Sequence, residues 1–177
     1  MRMFVAIDCN GEKEYFRRLQ GMLPRDGVKN ADDFHVTLMF LGEVMPDGVE
    51  VIKGALRAVK FLPFSFSLDS IGFFPDEKTP KVVWIGIWPK EDTIMLQQQI
   101  EKRLEGFFDK FDKEKRFEPH ITLARVKDNK AFFRDVRNVA VEKRRIEVSE
   151  FHLMESTLTP TGSLYRRILT VPAQGGE

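Results

Sequence analysis

Two copies of one short motif, each carrying an imidazole and a hydroxyl group, stand almost half a chain apart. The first is His35-Val36-Thr37-Leu38 and the second is His120-Ile121-Thr122-Leu123, in a chain of 177 residues. Each copy lies in a run of alternating apolar residues, which is typical of a half-buried strand. Side chains two residues apart on a strand point to the same face. Each motif is therefore predicted to present one histidine and one threonine together, away from the apolar face.

A pair of histidines can divide acid and base catalysis between them near neutral pH. An unperturbed imidazole has a pKa of about 6.5, so one ring can be neutral while the other is charged. The neutral ring can remove a proton from an attacking hydroxyl group or water, and the charged ring can protonate the departing oxygen. A threonine hydroxyl can donate a hydrogen bond to a non-bridging phosphate oxygen. Positioning and charge stabilisation are most of what phosphoryl transfer needs, so the motifs predict displacement at phosphorus.

The repetition of the motif favours a catalytic role for its histidines over a purely structural one. One His-x-Thr segment alone would indicate little, because most strand histidines are surface residues or hydrogen-bonded core residues. The third histidine, His152, has no hydroxyl two residues later and is interpreted as structural. The three histidines form no spacing typical of zinc or iron sites, and the proposed chemistry needs no metal. We therefore expect no metal and no cofactor.

Composition excludes several classes of protein. Hydrophobic residues make up 42% and charged residues 31%, which is typical of a globular chain. With 28 basic and 27 acidic residues, the chain has no overall field that would draw it to nucleic acid or membrane. The single Cys9 cannot form an intrachain disulfide, which favours a reducing compartment. The opening apolar run is too short for a signal peptide or a membrane span, so we expect a cytoplasmic location. No obligate protein partner is evident.

The motif strands lie among alternating strand and helix patterns. Strands are predicted at 3–7, 34–41, 64–71, 82–87, 120–126, 146–154 and 164–171. Helices are predicted at 12–23, 49–59, 131–139 and from 92 or 93 to 111. A loop is predicted at Gly72 and at Pro75 to Pro80, and a turn at Thr159–Gly162. One motif strand in each half indicates a single α+β domain, 1–177, of two related lobes.

Together with the opening Met-Arg-x-Phe-Val-Ala-Ile-Asp, the motifs resemble the 2H phosphoesterase superfamily, in particular its bacterial and archaeal 2'-5' RNA ligase-like (LigT-like) branch. Further stretches that carry the resemblance are Met39–Gly42, Val83–Gly86, Glu118–Arg125, and Glu155-Ser156 with Tyr165. The resemblance implies a bilobal α+β fold with two pseudo-twofold-related lobes of antiparallel sheet and helices. It also implies a central cleft lined by the two His-x-Thr strands.

The resemblance further implies an RNA 2',3'-cyclic phosphodiesterase, which opens the cyclic phosphate of an RNA end or nucleotide to a 2'-phosphomonoester. Carried onto this chain, His35 is the proton donor, His120 is the proton acceptor, and Thr37 and Thr122 hold the phosphate. The symmetric motifs do not themselves say which histidine is acid and which is base. Further candidate substrate contacts are Arg125, Tyr165 and Arg166. Strict alternation would put Arg125 on the face opposite His120, so Arg125 reaches the cleft only if the strand bulges or ends there.

Two alternative functions remain open at this point. In the first, an RNA hydroxyl replaces water as the nucleophile, and the same site joins tRNA half-molecules through a 2'-5' bond. In the second, the cleft binds nucleotides or RNA without catalysis. Both histidines and both threonines are present, which argues against a decayed site. The sequence does not name the physiological RNA or the oligomeric state.

Overall fold

The structure is a computed structural model that describes residues 1–107, 116–128, 136 and 138–175. Within those residues, nine strands form one sheet and three α-helices accompany it. The strands are β1 (Arg2–Asp8), β2 (Val28–Asn30), β3 (His35–Glu43), β4 (Phe64–Phe74), β5 (Val82–Trp88), β6 (His120–Val126), β7 (Arg145–Val148), β8 (Glu150–Thr159) and β9 (Gly162–Pro172). The helices are α1 (Lys13–Gln20), α2 (Pro46–Arg57) and α3 (Glu91–Leu104), with a 3₁₀ turn (Asn10–Glu12) before α1.

The strand order has an internal symmetry. The sheet runs β7-β4-β5-β6-β3-β1-β8-β9, and β2 also pairs with β6. The two motif strands, β6 and β3, are therefore neighbours at the centre, with three further strands outward from each. Every described strand pair is antiparallel. This arrangement confirms the predicted α+β fold of two related lobes.

The lobes meet at a short ladder between β3 and β6. Only Val36 and Ile121 are paired there, and both are fully buried. Farther along β6, the short strand β2 takes the place of β3, from the pair Asn30–Ala124 to the pair Val28–Val126. Because β3 and β6 separate beyond one pair, the curled sheet opens into a cleft between the lobes. Strand β2 was not predicted from the sequence.

The helices cover the apolar face of the sheet, opposite the cleft. Helix α1 follows β1 but packs against β6, and α3 follows β5 but packs against β3. Each of these helices therefore lies on the motif strand of the other lobe and holds the two halves together. The core between them includes Phe16 of α1, whose ring lies 4.8 Å from the ring of Phe34. No helix among the described residues is long and apolar enough to cross a membrane.

Two element predictions were wrong in an informative way. Strand β4 continues through Gly72 to Phe74 instead of ending in a loop. A Cβ atom on Gly72 would lie 2.3 Å from the Trp84 ring. The glycine therefore leaves room for the neighbouring indole and does not mark a turn. The single strand predicted at 146–154 is divided at Ser149: β7 pairs with β4 in one lobe, and β8 pairs with β1 in the other.

The predicted long helix is shorter than its apolar pattern. Helix α3 ends at Leu104, and the Phe107 side chain is 48% exposed beyond that end. Residues 108–111 of that prediction lie outside the described residues. So does most of the predicted helix at 131–139.

Candidate active site

The two motifs meet where the lobes join. Val36 lies opposite Ile121, and the antiparallel register of this single pair also determines which of the adjacent residues face each other. It therefore sets each histidine opposite the threonine of the other motif. Side chains that face each other across two antiparallel strands share a face of the sheet. The resulting cluster of four half-buried side chains consists of His35 with Thr122 and His120 with Thr37.

His35 is bound through one ring nitrogen to a carboxylate. Its Nδ1 lies 3.0 Å from Oδ2 of Asp33, two residues earlier. Burial alone would raise the pKa of the Asp33 carboxyl, but hydrogen bonds from His35 and Asn10 outweigh it and lower that pKa below its usual value. Asp33 is therefore ionised at neutral pH and can only accept, so Nδ1 of His35 carries the proton. An ionised carboxylate at this distance makes a charge-assisted hydrogen bond that holds the orientation of the ring.

His120 has a different partner. Its Nδ1 donates to the main-chain carbonyl of Glu118 across 2.7 Å. A carbonyl can only accept, so the neutral ring keeps its proton on Nδ1 and leaves the Nε2 lone pair available. Burial, more than any other effect, lowers the pKa of His120, and the charges of His35 and Arg125 lower it further against the opposing influence of Glu118. This ring is suited to accept a proton at neutral pH.

Aromatic rings flank His35 on the cleft face. The ring of Phe4 lies 5.1 Å from that of His35, and the ring of Tyr165 lies 5.5 Å away, edge-on. Phe4 and Tyr165 are themselves 5.2 Å apart. The predicted contact residue Tyr165 is thus brought to the histidine pair, and Phe4 is an addition that its apolar strand position did not reveal.

A second aromatic pair flanks His120. Phe74 lies 4.9 Å from the His120 ring and Trp84 lies 5.8 Å away, while Phe74 and Trp84 stack on each other at 4.8 Å. Sequence reasoning did not name these two residues as site residues. The run of β-branched and aromatic residues at 82–87 predicted the strand but not its lateral neighbours.

A β-bulge at Leu123 turns Arg125 toward the histidines. Thr122 pairs with Trp84 but Ala124 pairs with Val83, so Leu123 is an extra residue on β6. Leu123 and Ala124 are consecutive and both fully buried, which breaks the alternation. The exposed Arg125 that follows therefore lies on the cleft face. Arg125 reaches the cleft because the strand bulges, as strict alternation required.

The other motif strand carries an equivalent bulge. Val5 pairs with Met39 and Ala6 with Thr37, so Leu38 is the extra residue on β3. The residue that corresponds to Arg125 is Phe40, which is 69% exposed and 6.3 Å from the Phe4 ring. Each motif thus places one exposed side chain on the cleft face, five residues after its histidine.

Arg166 is not brought to the site. It pairs across the ladder with Glu155 and donates to that carboxylate at 2.9 and 2.6 Å, on the face of β9 opposite Tyr165. The next residue, Arg167, lies on the cleft face and donates to Oδ2 of Asp8 across 2.9 Å. Asp8 in turn lies opposite His35 in the ladder between β1 and β3. Alternation places neighbouring residues on opposite faces, so Tyr165 and Arg166 could not both line the cleft.

A second cation lies beside Arg125. Lys29 on β2 is the direct ladder partner of Arg125, so the two side chains share the cleft face. Its Nζ donates to the carbonyl of Thr161, at the tip of the hairpin between β8 and β9, across 3.2 Å. This contact joins the hairpin of one lobe to the edge of the other. No sequence pattern pointed to Lys29.

No group of three or more histidine, cysteine, aspartate or glutamate side chains that could hold a metal ion occurs in the described residues. The expectation of metal-free chemistry stays a prediction.

The comparisons with known proteins agree with one another. A sequence model of the 2'-5' RNA ligase superfamily matches residues 10–159. The RNA 2',3'-cyclic phosphodiesterase of Archaeoglobus fulgidus is 34% identical over 94% of this chain and 97% of its own length. Its namesake from Thermotoga maritima is 30% identical over 99% of this chain and 97% of its own length. Among solved structures, Escherichia coli LigT complexed with 3'-AMP superposes with a TM-score of 0.77 at 23% identity, covering 98% of both chains, which supports the fold.

Proposed function

Because the chain belongs to the 2'-5' RNA ligase superfamily, we propose that it hydrolyses the 2',3'-cyclic phosphate of an RNA end or nucleotide to a 2'-phosphomonoester. The observation that carries this proposal is the pair of imidazoles on one face, one bound to a carboxylate and the other to a carbonyl. Relatives that match nearly the whole chain carry the name of this activity. Acid and base are both needed, and the two rings have different hydrogen-bond partners.

The proposed reaction moves one proton at each histidine. Nε2 of His120 removes a proton from water, and the water oxygen attacks phosphorus. The bond from phosphorus to the 3'-oxygen breaks as His35 protonates that oxygen, which leaves the phosphate on the 2'-oxygen. Thr37 and Thr122, the other two members of the same cluster, donate to the non-bridging oxygens, where charge accumulates. Exchange of protons with solvent then restores both rings.

The surroundings of the pair offer contacts for the rest of the nucleotide. Phe40 and Tyr165 provide exposed aromatic surface on the side of His35, on which a base can stack. Lys29 and Arg125 provide two adjacent cations on the side of His120, suited to a phosphate of the RNA backbone. We leave Arg166 out of the proposed site because its partner and its face lie elsewhere.

The proposal is tested with EDTA-treated protein and cytidine 2',3'-cyclic phosphate, with the two product isomers separated by chromatography. We expect metal-independent formation of the 2'-phosphate. His35→Ala and His120→Ala should each abolish turnover without changing the thermal unfolding midpoint by more than a few degrees. Arg166→Ala is the matched control and should retain activity. Turnover near the unaltered rate in either histidine variant, or a 3'-phosphate as product, would refute the mechanism.

A second candidate is ligation of two RNA ends, for example tRNA halves, through a 2'-5' bond at the same site. It is favoured by the two equivalent exposed positions, Phe40 in one lobe and Arg125 in the other, which could receive a nucleotide on each side of the phosphate. Incubation with RNA halves carrying a 2',3'-cyclic phosphate and a 5'-hydroxyl separates the two reactions. Hydrolysis without joined product at high end concentration would exclude ligation, and tight binding without any turnover would favour a binding module.

A further inference from the structure

Asn10 makes more hydrogen bonds than its turn requires. Its Nδ2 donates to Oδ1 of Asp8 across 2.8 Å and to Oδ1 of Asp33 across 2.7 Å. Its Oδ1 accepts from the main-chain N–H of Phe34 across 3.1 Å. Both N–H groups and the oxygen of this amide are therefore used.

A local turn explains only part of this arrangement. The main-chain N–H of Asn10 donates to Oδ1 of Asp8 across 2.8 Å, which is an ordinary side-chain turn after a strand. The bonds to Asp33 and Phe34 reach across 23 and 24 positions of the chain. They join the end of β1 to the two residues directly before His35.

The segment before His35 is fixed on several sides. Asp33 uses Oδ1 for Asn10 and Oδ2 for His35, so the plane of the carboxylate is determined by both bonds. The carbonyl of Phe34 accepts from the N–H of Cys9 across 2.9 Å, and the Phe34 ring is fully buried. Few rotamers of Asp33 other than the observed one would keep these contacts.

We propose that Asn10 is a positioning residue for the proposed general acid: it holds the Asp33 carboxylate against Nδ1 of His35. This inference rests on the proposed function of His35. A neutral amide donor suits this place because it separates two carboxylates, Asp8 and Asp33, that would otherwise repel each other. The guanidinium of Arg167 on Asp8 completes a chain of contacts from the cleft edge to the His35 ring.

Four titratable groups face His35. They are Asp33 on its own segment, Asp8 from β1, His120 from β6 and Tyr165 from β9. Only Asp33 is hydrogen-bonded to the His35 ring among the described contacts. Displacing the Asp33 carboxylate removes the acceptor that fixes the Nδ1 proton and the orientation of the His35 ring, so kcat should fall while the fold is kept.

The test compares Asn10→Ala, Asp33→Asn and the double variant on cytidine 2',3'-cyclic phosphate. Loss of a hydrogen bond to a charged group predicts a fall in kcat of about 10- to 100-fold for each single variant. KM should change little, because the interaction acts in the proton transfer and not in binding. The double variant should lose no more than the larger single loss, because both substitutions break one path. Asn138→Ala, at an exposed asparagine outside these contacts, is the matched control.

A spectroscopic measurement distinguishes positioning from general destabilisation. The chain has only three histidines, so selective ¹⁵N labelling yields three imidazole spin systems that can be assigned by substitution. In the unaltered protein, the Nδ1 proton of His35 should resonate far downfield and exchange slowly. That signal should shift or vanish in Asn10→Ala. Asn10→Asp keeps the size of the side chain and an acceptor for Phe34, but adds a third carboxylate, and it should lose as much activity as Asn10→Ala.

Unchanged kcat and an unchanged Nδ1 signal in folded Asn10→Ala or Asn10→Asp would overturn the inference, as would fully additive losses in the double variant. If the unaltered protein turns over no cyclic phosphate, the proposed function fails instead. The NMR comparison still decides whether Asn10 holds Asp33 against His35.

Discussion

Because the two histidines have different hydrogen-bond partners, we expect their replacement by glutamine to lower kcat in different ways on two substrates. His35→Gln removes the proposed proton donor to the leaving oxygen, and His120→Gln removes the proposed acceptor from water. A cyclic substrate with sulfur at the bridging 3' position separates these roles. A thiol has a pKa of about 8.5, so a thiolate leaves without a proton far more readily than an alkoxide does.

The expected magnitudes follow from the site. A positioned acid or base contributes about 10²- to 10⁴-fold, which is about 2.7–5.4 kcal/mol of activation free energy. Because burial lowers the pKa of His120, that ring is neutral at pH 7 and its whole contribution is available there. On the oxygen substrate, both variants should therefore lose about 10²- to 10⁴-fold in kcat. On the sulfur substrate, His120→Gln should lose as much, whereas His35→Gln should lose less than about tenfold.

The assay measures initial rates at pH 7 in the presence of EDTA, with release of the thiol followed by a colorimetric thiol reagent. Circular dichroism and thermal unfolding serve as controls for the fold of each variant. Equal losses of His35→Gln on the two substrates would refute its role as the acid. The reverse pattern, with sulfur rescuing His120→Gln, would exchange the two roles while keeping the two-histidine mechanism.

Two further predictions concern the cations of the cleft and the buried third histidine. Lys29→Ala and Arg125→Ala should each weaken binding of an oligonucleotide with a 2',3'-cyclic phosphate and reduce the salt slope of log K by about one, while Arg166→Ala should leave it unchanged. Fluorescence anisotropy against salt measures this, and an unchanged slope in the first two variants would contradict the cation site. His152 is 1% exposed, and burial, followed by the charge of Arg167, lowers its pKa. The unfolded chain therefore takes up its proton first, and the free energy of unfolding should fall as pH drops below about 6.5. Denaturant titrations that give the same pH dependence for His152→Gln would assign that dependence to another group.

The sequence predicted the centre of the molecule well because the motif strands follow a regular alternation of apolar and polar residues. Alternation around His35 and His120 predicted both strands, their apolar faces and the shared face of each histidine and threonine. The repetition predicted two lobes, and the structure confirms them in its strand order. These features depend on neighbours two positions apart, which periodicity detects.

Features that depend on contacts across the chain were out of reach. The bulges at Leu38 and Leu123 put two buried residues in succession, which alternation alone interprets as an irregular strand end. The change of lobe at Ser149 leaves only a weak signal, a change in the phase of the buried apolar residues from Ile146 and Val148 to Phe151 and Leu153. Asn10 and Asp33 stand far apart in sequence, and neither is unusual for a turn. Lys29 belongs to the site because it pairs with Arg125 on β6, and the sequence alone does not reveal that pairing.

A symmetric pair of motifs needs an asymmetric environment if one histidine is to donate a proton and the other to accept one. Both motifs have an acidic residue two positions before the histidine, Asp33 and Glu118, so the local sequence gives the same opportunity twice. At the first site the side chain is used, since Asp33 binds Nδ1 of His35 directly. At the second site Lys90, just before α3, binds the Glu118 carboxylate, and only the main-chain carbonyl remains for His120. A carboxylate stabilises a charged ring, whereas a carbonyl fixes the tautomer of a neutral one. We therefore propose that Asn10, through its bond to Asp33, and Lys90, through its bond to the Glu118 carboxylate, account for the opposite roles proposed for two otherwise equivalent histidines.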